Sequence, residues 1–213
     1  MIESVERDIN ATIKGRIAEC IADELFKELG FFVMKYGQEH QVEPITQLQN
    51  FIKRCGGNFK LKYSDPKFEN SFDFVRRMPD FLIVKNNFEP ELLEVKYRRT
   101  GIFEDNTGVK DKQINAFFDN YPCAVLLLVV DKSKINPDKF KELYEDLEVA
   151  EEMINTNLQI IFSEDDENNN EEVNYIPQPL VYWLRETYNI PIAESKPIIA
   201  KYDKLIGDWL NSK

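Results

Sequence analysis

The stretch "PELLEVKYRR", Pro90 to Arg99, decides how the chain is read. Leu92, Leu93, Val95 and Tyr97 suit a strand, yet Glu94 and Lys96 stand in its middle. Side chains two apart in a strand share a face. Glu94 and Lys96 therefore point one way, and Leu93, Val95 and Tyr97 point the other. Alternation alone makes the charged face a solvated surface; whether it lines a site depends on what lies beside it.

Fourteen residues upstream is Asp80, in "MPDFLIV". "DFLIV" (80–84) reads as an apolar strand and "NN" (86–87) as a turn, so residues 80–97 are expected to form a hairpin. Such a hairpin can bring Asp80 beside Glu94. Two carboxylates that close repel unless a cation lies between them. All-oxygen ligation favours a hard divalent ion, Mg²⁺ or Mn²⁺, over zinc. Lys96, on the same face, adds a positive charge. The set suits phosphodiester hydrolysis, in which a metal lowers the pKa of water and an ammonium stabilises developing charge.

The rest of the chain frames these residues as one domain. Its 213 residues suffice for a substantial core, and 43% hydrophobic with 31% charged side chains describe a globular chain. Apolar residues recur at helical spacing from Val5 to Leu29, with Gly30 as the stop, and "FFVMKY" (31–36) has strand composition. Residues 42–55 read as a helix and 58–65 as a strand. Residues 110–119 suit a helix, "AVLLLVV" (124–130) a strand buried on both faces, and 137–154 another helix. A short strand at 158–163 precedes the acidic stretch "EDDENNNEE" (164–172), which reads as a solvated loop. Two amphipathic helices close the chain, their aromatics expected to serve packing. The order implies a single α/β domain over 1–213, with a core near 10–163 and a helical extension over 177–213.

Composition narrows the function. The amino terminus lacks an apolar signal core and no apolar run can span a bilayer, so a cytoplasmic protein with no membrane partner is expected. Cys20, Cys55 and Cys123 are dispersed, which suggests reduced, mostly buried thiols and neither disulfides nor zinc. The lone His40 leaves little room for histidine chemistry. Net charge is −11, but residues 52–112 carry 13 basic and 10 acidic side chains, and residues 113–213 carry 9 and 19. A polyanion would meet its positive potential in the middle of the chain.

With "MPD" and "EVK" so placed, the sequence resembles the PD-(D/E)XK nuclease superfamily, with Asp80, Glu94 and Lys96 in the three signature positions. "KGRIAECIADELFKELGFFV" (14–33) is similar to the opening of archaeal Holliday-junction resolvases. That similarity carries Glu19 over as a further carboxylate, with Glu24 as the alternative. The resemblance implies a restriction-endonuclease-like mixed sheet flanked by helices, Mg²⁺ (with Mn²⁺ able to substitute), and DNA as substrate. It implies metal ligation by Asp80, Glu94, the Val95 carbonyl and Glu19, with Lys96 activating water. Gln113 matches a polar helix residue that faces the site in relatives. RecB-like nucleases place a tyrosine four residues after that glutamine, where this chain has Phe117. Arg76, Arg77, Arg98, Arg99, Lys110 and Lys112 are the candidate phosphate contacts. Residues 37–75 depart from the compact resolvase pattern as an insertion. Restriction-like nucleases often pair to cut two strands, so a homodimer is compatible with the resemblance. The competing expectation is a catalytically inactive module of the same fold that binds nucleic acid or a protein.

Overall fold

A computed structural model of the chain describes residues 2–36, 78–85, 90–98, 117–121, 124–144, 146–162 and 177–211. The expected insertion (37–75), the acidic loop, His40, Cys55 and Cys123 lie outside these residues.

Helix α1 (Ile2–Glu28) leads into strand β1 (Phe32–Lys35). Its apolar spacing does what the sequence demands: Ala18, Ala22, Leu25 and Phe26 are fully buried. Gly30 ends it at φ +82°, a conformation that favours glycine, and the Phe31 N–H returns to the Phe26 carbonyl at 2.9 Å. Cys20 is exposed on this helix, which corrects the expectation of a buried thiol.

Strands β2 (Phe81–Val84) and β3 (Glu91–Arg98) pair antiparallel, with Phe81 opposite Leu93 and Leu82 opposite Leu92. The expected hairpin pairing is therefore present. Strand β1 pairs antiparallel on the outer side of β2. Strand β4 (Val125–Val130) lies parallel to β3, with Val95 opposite Leu127, and every residue of β4 is buried. β5 (Leu158–Phe162) and the two-residue β6 (Gln178–Pro179) complete a six-stranded mixed sheet in the order β1-β2-β3-β4-β5-β6. Among the described strands the β3–β4 pair is the one parallel step.

Each face of the sheet has its own core. On one face, Leu93, Val95, Leu127 and Val129 pack with α1, α4 (Leu180–Tyr188) and α5 (Ile192–Asn211). The aromatic side chains there do serve packing: Trp183 and Tyr202 are buried, and Tyr97 meets Trp209 edge-on with centroids 5.9 Å apart. On the other face, Leu126, Leu128 and Ile161 pack with Phe117, Phe118, Ala150 and Met153. Residues 117–120 are helical, the end of the helix expected over 110–119.

The single helix expected over 137–154 is two helices, α2 (Pro137–Leu143) and α3 (Leu147–Asn155). Between them Tyr144 is extended and buried, and its hydroxyl donates to the Pro177 carbonyl at 2.7 Å. Asp146 then restarts the helix by accepting the Glu148 N–H at 2.8 Å. Among the described residues no helix is long and apolar enough to cross a membrane.

Candidate active site

The β2–β3 register fixes the centre of the site. One step beyond the Phe81–Leu93 pair, Asp80 stands opposite Glu94, on the face away from Leu93 and Val95. The ladder ends there, and the Val95 N–H goes to Asp80 Oδ2 at 2.8 Å instead of to backbone. A strand residue presents its N–H and C=O to the same edge, so the Val95 carbonyl is directed to the Asp80 side of β3.

Glu94 is a charged group deep in the protein, with 7% of its surface exposed. Its Oε1 accepts a hydrogen bond from Lys96 Nζ, two residues along the same face. Burial, then the neighbouring Glu94, pushes the Asp80 carboxyl up to about 8; the Val95 N–H and Lys96 work against that rise. Burial also raises Glu94, opposed by Lys96 and by a hydrogen bond with Asp80. Burial alone would lower the Lys96 ammonium, but Glu94 and Asp80 outweigh it and hold the group charged. Burial thus disfavours the charged form of both carboxyls, and each stays raised although Lys96 stands beside them.

Glu19 comes from α1, half-buried, and its charge is felt at Asp80. Its carboxylate is engaged by Arg16 at 3.3 Å. Glu24, the alternative, is 66% exposed and pairs with Lys27 at 3.4 Å. Of the two glutamates, Glu19 is thus the one coupled to Asp80. Arg98 lies on the Glu94–Lys96 face, and its charge acts on Lys96. Phe117 is buried in the second core. Arg76, Arg77, Arg99, Lys110, Lys112 and Gln113 lie outside the described residues.

A divalent cation fits part of this set. Two buried carboxyls side by side, both raised by burial, are what a hard cation would relieve. Among the described residues no three carboxylate, histidine or cysteine side chains converge as a ready-made cage. Glu19 would have to turn from Arg16 to join one.

Two tyrosines belong to the site without having been singled out. Tyr36 follows β1, donates its N–H to the Asp80 carbonyl at 2.8 Å, and stands one register step beyond Lys35–Phe81. It therefore shares the Asp80 face. Tyr121 is buried, and burial, Tyr36 and Glu94 all raise its phenol above the ordinary range. Extending the strand alternation by one residue would have found Tyr36. Nothing in the local sequence marks Tyr121.

Fold and site together define an α/β protein with a mixed sheet and a buried carboxylate–lysine cluster on a hairpin. Comparison with protein-family models, with curated proteins and with solved structures returns no match to this chain.

Proposed function

We propose that this chain is a metal-dependent nuclease of restriction-endonuclease-like fold that hydrolyses phosphodiester bonds in DNA. One observation carries the reading: Asp80 and Glu94, two buried carboxyls, meet on adjacent strands beside Lys96. Bound Mg²⁺ or Mn²⁺ would polarise the phosphate and make its coordinated water a nucleophile at neutral pH. Asp80, Glu94 and the Val95 carbonyl would hold the cation, with Glu19 reaching it directly or through water. The Val95 N–H fixes the Asp80 carboxyl in place. Lys96 Nζ orients the attacking water and donates to the phosphate oxygens as charge accumulates on them. Arg98 adds positive charge where the phosphate backbone would lie.

The test is incubation with plasmid, single-stranded and branched DNA in Mg²⁺ or Mn²⁺. Cleavage by the wild type, reduced at least about 100-fold by Lys96→Ala, is the expected result. Equal cleavage by both proteins sinks the assignment.

A second reading, an inactive module that binds nucleic acid or protein, draws on the closed Lys96–Glu94 and Arg16–Glu19 pairs. It predicts a calorimetric titration with Mg²⁺ that shows no heat dependent on Asp80.

A further inference from the structure

Among the described strands β1 is the outermost on the side of the candidate site, and its side chains alternate. Val33 packs into the core behind the sheet. Phe32, Met34 and, one step on, Tyr36 must then share the other face, which is the face of Asp80 and Glu94. Register fixes their neighbours: Phe32 lies opposite Val84, Met34 opposite Leu82, and Tyr36 opposite Asp80. Leu92, next across from Leu82, extends the same apolar surface.

Burial separates this row from an ordinary core. Phe32 is 66% exposed and Met34 42%, although both are large and apolar. They are neither scattered nor remote. They form a ladder with a step of about 7 Å that runs along one strand to the carboxylates. The Tyr36 N–H bonds the Asp80 carbonyl at 2.8 Å, which places the last rung beside the carboxylates.

We infer that the β1 ladder of Phe32, Met34 and Tyr36 is a stacking platform that holds the unpaired bases of a DNA strand whose backbone enters the Asp80–Glu94–Lys96 site. The inference deepens the nuclease reading and rests on it. A duplex presents phosphate and sugar on its outside and hides the flat faces of its bases, so an apolar edge gives it little to bind. An unpaired strand offers those faces, and exposed aromatic side chains take them regardless of sequence. Lys96 and Arg98 lie on the same face, in position for the phosphates of the same strand. By register Met34 and Phe32 run one way along the sheet from the Asp80–Glu94 level, and Lys96 and Arg98 run the other. A strand crossing the site would leave its bases on the apolar rungs and carry its backbone on to the charges.

The experiment is fluorescence anisotropy of a short labelled oligonucleotide in EDTA, so that binding is read without cleavage, using the strand alone and as a duplex. The wild type is expected to bind the single strand several-fold more tightly than the duplex. Phe32→Ala should weaken single-strand binding roughly tenfold, leave duplex binding unchanged, and be rescued by Phe32→Tyr. Because stacking is less sensitive to ions than phosphate contact, the defect should persist at raised salt. Equal affinity for the two forms, or an unaffected Phe32→Ala variant, overturns the inference. So does a wild-type dimer that Phe32→Ala converts to monomer without altering DNA binding, which assigns the face to a second copy of the chain. Cleavage in Mg²⁺ is scored separately. Phe32-dependent single-strand binding without metal-dependent cleavage defeats the nuclease reading alone, whereas cleavage without that binding defeats the platform alone.

Discussion

Two acidic clusters in this molecule are partly or wholly buried, and they are built on opposite terms. Asp203, on α5, faces more donors than it has oxygens: Lys132 Nζ, the Thr156 hydroxyl at 3.3 Å and the Asn157 N–H. Asn157 also donates its side-chain amide to the Asp203 carbonyl at 3.0 Å, so the cluster pins α5 to the β4 and β5 ends. The Asp80–Glu94 cluster is the reverse, two carboxyls with one lysine and one backbone N–H between them. A satisfied buried charge holds structure together. A pair of buried carboxyls short of donors costs stability, and such pairs gather at functional sites.

That contrast can be broken by mutation, and the largest expected effect is on catalysis. Under the proposed function, Asp80→Asn should lower metal-dependent cleavage at least about 100-fold. The same variant should melt no lower than the metal-free wild type, because it replaces a buried acid with a neutral group of the same size; a clear loss of stability would contradict the contrast. Asp203→Ala should do the opposite. It leaves the Asn157 N–H without its acceptor and takes the ion-pair partner from Lys132, which keeps the Asn155 carbonyl, and should cost about 2 kcal/mol in chemical denaturation. The specific rate of cleavage by the folded fraction should stay unchanged.

The pH dependence of stability separates the clusters next. Between the ordinary Asp value of 3.8 and the raised value of about 8, the folded metal-free protein keeps a proton at Asp80 that the unfolded chain has shed. With fewer protons bound to the unfolded state, stability falls as pH rises through that window. The metal-free wild type should lose roughly 5 °C more in melting temperature than Asp80→Asn between the two ends of the window. Parallel pH profiles for the two proteins would rule out the raised Asp80 carboxyl. The smallest effect is expected at Glu19, whose coupling to Asp80 is indirect. Glu19→Ala should cost about tenfold in cleavage and Glu24→Ala nothing measurable.

How far the sequence foretold this depends on the range of the forces involved. The α1 periodicity, the hairpin and the Asp80–Glu94–Lys96 grouping follow from residues close together in the chain, where alternation and spacing are reliable guides. Glu19 is 61 residues before Asp80 and could be named only through resemblance to other proteins. The break at Tyr144 was hidden because Ala150 and Met153 extend an apolar spacing that reads as one helix. What ends it is a hydrogen bond to Pro177, 33 residues away. Tyr121 was invisible for the same reason, since its neighbours Tyr36 and Glu94 come from other strands.

Strand β6 has a consequence for how the molecule behaves among its own copies. It is two residues long, and Pro177 and Pro179 flank its one N–H donor, that of Gln178. A sheet margin recruits foreign strands by offering a row of backbone donors, and proline withholds them. The β6 margin is therefore closed to strand addition. End-to-end growth of the sheet into fibrils, which needs two receptive margins on every copy, is blocked by two pyrrolidine rings.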